Sequence, residues 1–176
     1  MNYSIYTDGA TSGNGYEGAQ GGSAFIIIKE GMIVHMSGGP LENATNNICE
    51  LDAIINGCRT AAIRAEVEWR DEDSHFTVYS DSAYIVNCYK DKWYKKWQAN
   101  GWLNSKKQPV ANKELWEKLI PYFEDSRFSF EKVKGHSGDL YNEIVDGMAV
   151  SARQGKGITE YTNRWLGYKE EVDYHS

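Results

Sequence analysis

The chain has 176 residues, of which 41% are hydrophobic, so we expect one folded domain with a substantial core. No apolar run approaches the roughly 18 residues of a membrane-spanning helix, and residues 1–5 lack the pattern of a secretory signal. The net charge of −6 argues at first against a nucleic-acid partner. We expect a soluble, cytoplasmic protein.

The first third of the chain predicts three strands. Residues 3–7, 21–29 and 32–37 are rich in β-branched and aromatic residues. Glu30 and Gly31 fit the tight turn of a hairpin between the second and third strands. Their short connections predict antiparallel pairing.

The pattern then changes to a helical period. From Thr45 onward apolar residues recur at intervals of three and four, as in Ile48, Leu51, Ile55 and Cys58, which predicts an amphipathic helix. Residues 66–74 are dense in charge and predict an exposed loop. Cys58 lies on the apolar stripe, and the three cysteines form no C-x-x-C pair, so we interpret Cys58 as a buried hydrophobe.

The remainder predicts two further strands and three helices. Residues 76–80 and 127–133 are the strands; the helices cover 83–89, a segment capped by Asn112, and 140–152, which ends near Gly155. Pro121 should end or bend the middle one early. The expected order is β-β-β-α-β-α-α-β-α. It predicts an α/β fold with a mixed five-stranded sheet, three antiparallel strands plus two parallel, flanked by helices.

Four acidic residues stand at positions where such a fold builds sites. Asp8 and Asp81 each follow a strand, and parallel pairing would bring them together at the carboxyl edge of the sheet. Glu50 and Asp146 each lie beside the apolar stripe of a helix. Clustered carboxylates repel one another unless a cation is bound, and oxygen ligands select hard ions. We predict a site for Mg²⁺, with Mn²⁺ as a possible substitute, although most single acids are surface charge.

A basic segment interrupts this acidic chain. Between residues 90 and 113 there are seven lysines and one acid, Asp91, so the segment carries +6 and leaves −12 for the rest. Its lysines could meet phosphates while its tryptophans stack on bases or sugars. The alternative interpretation is a small helical subdomain braced by tryptophans, because Trp93 and Trp97 share a helix face.

The motifs that contain these residues resemble the type 1 ribonuclease H family. The similarity runs from about residue 3 to residue 152, and four motifs in the right order make it specific. They are YTDGA (residues 6–10), TNNICEL (45–51), YSDS (79–82), and VKGHSG (133–138) followed by Asn142, Glu143 and Asp146. The basic segment is similar to that family's substrate-gripping protrusion.

The resemblance implies a ribonuclease H-like fold and an endonuclease that cuts the RNA strand of RNA–DNA hybrids. Two Mg²⁺ ions would be held by Asp8, Glu50, Asp81 and Asp146, and the products would carry 5′-phosphate and 3′-hydroxyl ends. His136 would assist proton handling or product departure. The residues implied in nucleic-acid binding are Asn14, Thr45, Asn46, Trp93, Lys95, Lys96, Trp97, Trp102, Lys106 and Lys107.

The resemblance also predicts domain organisation and partners. Residues 1–155 would form the catalytic domain, with its basic protrusion at about 90–113, and residues 156–176 a tail whose role the sequence does not reveal. The partner would be an RNA–DNA hybrid, and we expect a monomer without an obligate protein partner. Two positions depart from the family pattern: Ile48 stands where many members have arginine, and Ala83 replaces a common glutamine. Both changes would affect affinity more than activity.

Other functions compete with this prediction. A non-catalytic hybrid-binding module on the same fold would be expected to lack an acid or the histidine, and all five are present. Another nuclease or polynucleotidyl transferase, such as a transposase or exonuclease, would not be expected to have the lysine–tryptophan segment. A detached reverse-transcriptase domain is a further alternative.

Overall fold

A five-stranded mixed sheet forms the centre of the protein, with the strand order β3-β2-β1-β4-β5. The computed structural model describes residues 1–12, 20–133 and 139–155. β1 pairs antiparallel with β2, and β2 with β3, while β1–β4 and β4–β5 are parallel. The predicted fold class is therefore confirmed. The strands are β1 Asn2–Thr11, β2 Gln20–Lys29, β3 Met32–Glu42, β4 His75–Ser80 and β5 Phe128–Lys132.

Helices cover both faces of the sheet and create two cores. The helices are α1 Asn46–Val67, α2 Ala83–Lys90, α3 Trp93–Asn100, α4 Lys113–Phe123 and α5 Leu140–Arg153. One core includes Ile5 and Phe25 of the sheet, with Leu51 of α1 and Trp116 of α4. The other packs Val145, Met148 and Ala149 of α5 against β2 and β3. Strand β2 is buried along nearly its whole length, because both of its faces are covered.

Local signals in the sequence explain several element ends. Glu30 and Gly31 both have positive φ, 52° and 77°, as a type I′ hairpin turn requires. The hydroxyl of Thr45 accepts a hydrogen bond from the Ile48 N–H at 3.2 Å and caps α1. Gly155, with φ 91°, follows the end of α5, as predicted.

Some expectations differ from the structure. The predicted order omitted α3, the helix at Trp93–Asn100, and α1 continues to Val67, into the segment predicted as a loop. Asn112 precedes α4 but has φ 64°, and it makes no side-chain capping bond. Helix α4 continues through Pro121 to Phe123, whose buried ring packs on Phe130 and Trp116. Burial of this ring offsets the hydrogen bond that proline removes from the last turn.

The cysteines behave as predicted for small hydrophobes. Cys49, Cys58 and Cys88 are all buried and free. Burial raises the pKa of the Cys49 thiol to about 11, so it stays protonated. No helix in the described part of the chain is long and apolar enough to cross a membrane.

Candidate active site

Parallel pairing of β1 and β4 brings two of the predicted acids to one edge of the sheet. Tyr6 is directly opposite Tyr79 in this pair, so Asp8 and Asp81 follow at equivalent positions two residues further on. Asp8 is 5% exposed, whereas Asp81 stands at the surface. The carboxyl edge of an open α/β sheet is the usual place for a site, and these two acids form its base.

Glu50 joins them because α1 approaches the end of β1 very closely. A Cβ atom on Gly9 would lie 2.6 Å from the Cβ of Cys49 and 2.7 Å from the backbone nitrogen of Glu50, so only glycine fits there. The Gly9 N–H donates to the Asp8 carboxylate at 2.8 Å and to Glu50 Oε1 at 3.3 Å. One backbone donor thus joins the strand acid to the helix acid.

Three of the four predicted acids form a compact cluster, and the fourth touches it. Asp8, Glu50 and Asp81 each offer an oxygen atom within 4.8 Å of the other two. Asp146, on the exposed side of α5, lies close enough to Asp8 to raise the pKa of that carboxyl. Two strands and two helices that are distant in sequence therefore bring their acids to one place.

Burial and mutual repulsion disfavour the charged form of the inner acids. The pKa of Asp8 is raised by burial, by the nearby Asp146 carboxyl and by the charge of Asp81. The pKa of Glu50 is raised by burial and by the charges of Asp81 and Asp8. In the free cluster, Asp8 and Glu50 therefore lose their protons at higher pH than an ordinary surface carboxylate does.

These residues fit a hard divalent cation. The second carboxylate oxygen of Glu50, Oε2, is buried and has no hydrogen-bond partner among the residues that the structure describes. Such an orphaned acceptor is costly, and a cation would satisfy it and offset the repulsion among the acids. Among the described residues the cluster is made of carboxylates, and a ligand set of oxygen atoms favours hard ions such as Mg²⁺ or Mn²⁺ over zinc.

The basic segment combines helix α3 with a loop closed by a single bridge between Leu103 and Pro109. Lys90 pairs with Glu131 at 3.0 Å, and Lys113 lies over the Trp102 ring at 5.6 Å. The remaining five lysines of the segment are exposed. They are Lys92, Lys95, Lys96, Lys106 and Lys107.

The three tryptophans of this segment differ in exposure. Trp97 is buried, with its ring 5.2 Å from that of Trp116, so it braces the protrusion. Trp102 is partly buried and has φ 65°, an unusual conformation for a bulky residue, in which its ring packs on Trp97. Trp93 is partly buried and has a face toward a groove. Trp97 also lines this groove, so the rings of Trp97 and Trp102 fit the bracing interpretation, while contact with nucleic acid stays a prediction.

The groove beside Trp93 contains a residue that the sequence reading missed. Tyr84 is 40% exposed, and its ring lies 5.8 Å from that of Trp93. The groove has a volume of about 620 Å³ and includes Lys96 and Asn100 in its lining. The only sequence signal for Tyr84 was its place in the first turn of the helix after Asp81.

The other predicted residues are placed as follows. Thr45 uses its hydroxyl to cap α1, and Asn46 is exposed in the first turn of the same helix. Asn14 and His136 lie outside the residues that the structure describes, as do residues 156–176.

The fold and the cluster define an open α/β protein with a carboxylate site at the carboxyl edge of its sheet. Residues 1–154 match the RNase H family. A ribonuclease H of Syntrophomonas wolfei is 42% identical over 153 residues, which cover 87% of this chain and 97% of that protein. A ribonuclease H of Thermoanaerobacter sp. strain X514 is 39% identical over 146 residues, with 83% and 86% covered.

Solved structures agree with this assignment. LC9-RNase H1, described as a type 1 RNase H with the type 2 active-site motif, superposes with a TM-score of 0.65 at 26% identity, covering 88% of this chain and 72% of that one. The RNase H domain of PFV has a TM-score of 0.68 at 20% identity, with 86% and 94% covered, and supports the fold alone. The chain belongs to the ribonuclease H family, and the predicted enzyme class is confirmed.

Proposed function

We propose that this protein is an endonuclease that hydrolyses the RNA strand of RNA–DNA hybrids by two-metal-ion catalysis. The products would carry 5′-phosphate and 3′-hydroxyl ends. Membership of the ribonuclease H family supports the substrate, and the carboxylate cluster supports the chemistry. The observation that carries the proposal is the meeting of Asp8, Glu50 and Asp81 around an unsatisfied carboxylate oxygen.

In this mechanism the four acids would hold two Mg²⁺ ions, with Mn²⁺ as a possible substitute. When bound, such ions can activate an attacking water and stabilise the leaving oxygen of a phosphodiester. Asp8 and Glu50 would provide buried carboxylate ligands, oriented by the shared Gly9 N–H. Asp81 and Asp146 would provide solvent-exposed ones.

The charge distribution supports binding of a polyanion along one side of the molecule. The exposed lysines of the protrusion can contact phosphates, and release of counterions would make binding dependent on salt. Tyr84 and Trp93 offer aromatic surface beside these lysines. Residues 1–155 form the catalytic domain in this proposal, and residues 156–176 a tail outside it.

The choice of the RNA strand is assigned to polar residues around Glu50. Asn14 and Asn46 would contact 2′-hydroxyl groups together with Glu50, and Thr45 with Asn14 would hold a phosphate of the DNA strand. His136 would handle a proton or assist product departure, as suits a group whose ordinary pKa is near working pH. These assignments rest on the family motifs.

Cleavage of a labelled RNA–DNA hybrid, with Mg²⁺ and with EDTA, tests the proposal. We expect Mg²⁺-dependent cuts within the RNA strand and no cleavage of double-stranded DNA. Asp8→Asn should abolish cleavage but retain hybrid binding, because it removes a metal ligand without changing the protrusion. A fully active Asp8→Asn protein would refute the metal assignment, and hybrid binding without cleavage by the wild type would favour a binding module.

A further inference from the structure

Three tyrosines pack together on the elements that carry or lead to Asp8, Asp81 and Asp146. Tyr6 of β1 is stacked on Tyr79 of β4 with ring centroids 4.6 Å apart, and Tyr141 of α5 packs against it at 5.5 Å. Tyr6 stands two residues before Asp8 in β1, and residues two apart in a strand share a face; Tyr79 stands two residues before Asp81, which follows the end of β4. This layer of tyrosines therefore joins β1, β4 and α5.

One carboxylate in this layer connects β1 to the start of α5. The Asp139 Oδ1 atom accepts from the backbone N–H groups of Tyr141 and Asn142, at 3.0 and 3.3 Å, and so caps α5. Its Oδ2 atom accepts from the Tyr6 hydroxyl at 3.1 Å. The cap of the helix is thus held by a strand that is distant in sequence, and both of its oxygens are used.

The position of Asp146 depends on how α5 is seated. At its C-terminal end the helix backbone is tightly packed against β2, since a Cβ on Gly22 would lie 2.4 Å from the backbone nitrogen of Arg153. Its middle is held by apolar contacts of Val145 and Ala149, which are not directional. At its N-terminal end two hydrogen bonds are directional. The Tyr141 hydroxyl donates to the Gly31 carbonyl at 3.2 Å, and the Tyr6 hydroxyl donates to Asp139, which is the bond that reaches β1.

We propose that Tyr6 is a positioning residue that sets the distance of Asp146 from Asp8, and so the affinity of the site for its divalent cation. This inference rests on the proposed function. Tyr6 touches neither metal nor substrate; it acts through the Asp139 cap and helix α5. Groups that orient metal ligands from behind typically change metal affinity by about 10- to 100-fold when they are removed.

The test uses Tyr6→Phe, which removes one hydroxyl and keeps the stacked ring. Two readouts apply: the rise in melting temperature with Mg²⁺ concentration, and hybrid cleavage at increasing Mg²⁺. We expect the Mg²⁺ midpoint to rise roughly tenfold in both, while KM for the hybrid changes less than about twofold. Saturating Mg²⁺ should restore most of kcat.

A matched control exists at the other end of the same strand. The Tyr3 hydroxyl donates to Asp71 at 3.0 Å, a bond of the same kind far from the acids. Tyr3→Phe should lower stability to a similar degree and leave the Mg²⁺ midpoint unchanged. Asp139→Asn, which can still cap α5 and bond to Tyr6, should retain wild-type affinity, whereas Asp139→Ser, which can cap but is too short to reach Tyr6, should match Tyr6→Phe.

The route through Asp146 is tested in an Asp146→Asn background. There, Tyr6→Phe should change the Mg²⁺ midpoint by less than about twofold, because the residue that it positions is no longer a full ligand. A Tyr6→Phe midpoint equal to that of the wild type, or a tenfold effect that persists without Asp146, overturns the inference. A wild-type protein that Mg²⁺ neither stabilises nor activates overturns the proposed function, and this inference with it.

Discussion

Replacement of Asp8 by Asn should stabilise the protein when no divalent cation is present. Oxygen atoms of Asp8, Glu50 and Asp81 lie within 4.8 Å of one another, where two unit charges repel by about 3.5 kcal/mol at an effective dielectric constant of 20. The cluster can relieve this repulsion by taking up protons. Keeping such a proton at pH 7 costs about 1.4 kcal/mol for each pH unit by which pH 7 exceeds the ordinary carboxyl pKa. The total cost is about 4 kcal/mol.

Whether the acids stay charged or take up protons, the free cluster is therefore destabilised by only a few kcal/mol. We expect Asp8→Asn to raise the free energy of unfolding by about 2 kcal/mol, because the amide keeps the size of the side chain and can still accept from Gly9. Because the pKa of Asp8 is raised in the folded state, the destabilisation by this carboxyl is absent below its ordinary pKa and grows as the pH rises. The stabilisation by Asp8→Asn should therefore be large at pH 7.5 and vanish near pH 4.

Urea unfolding in EDTA at these two pH values measures the effect. Glu117→Gln, which removes an exposed charge on α4 away from the cluster, is the control and should change stability little at either pH. Addition of Mg²⁺ should stabilise the wild type more than Asp8→Asn. A less stable Asp8→Asn protein in EDTA at pH 7.5, or an equal gain at pH 4, would refute the electrostatic reasoning.

Three further predictions concern packing, buried charge and the protrusion. Gly9→Ala should lower the free energy of unfolding by at least about 2 kcal/mol and remove most of the cleavage activity, because the added Cβ would collide with α1. Gly39→Ala should be tolerated in unfolding and cleavage assays, because its added Cβ would have no described atom within 4 Å. Burial and Arg64 lower the pKa of His35 to about 4, so its contribution to stability should be lost as the pH falls from about 6.5 towards 4. His35→Gln should remove that part of the pH dependence of urea unfolding, and an unchanged slope would contradict it. Changing four exposed lysines of the basic segment to Ala should weaken hybrid binding and reduce its dependence on salt concentration. The four are Lys95, Lys96, Lys106 and Lys107. An unaltered salt dependence would exclude these lysines from the interface.

Local sequence was sufficient for the five strands, for four of the five helices and for the meeting of two of the acids. Asp8 and Asp81 were predicted to meet because each follows a strand, and parallel strands end at a common edge. The hairpin at Glu30 and Gly31 and the cap at Thr45 likewise depend on residues within a few positions of each other. Helix α3 was missing from the predicted order, because lysines and tryptophans mask a helical period when the apolar stripe is only two turns long.

The sequence by itself determined the class of fold, the identity of the acids and the basic segment, because periodicity, strand ends and motif spacing are local properties. Only the tertiary structure decided how those acids interact. Contacts between distant elements determine the close approach at Gly9, the unsatisfied oxygen of Glu50 and the different burial of Trp93 and Trp97. The bond from Tyr6 to Asp139 spans 133 positions, and no periodicity or motif predicts such a pair. The chain therefore encodes which groups are available, and packing sets their distances and their charge.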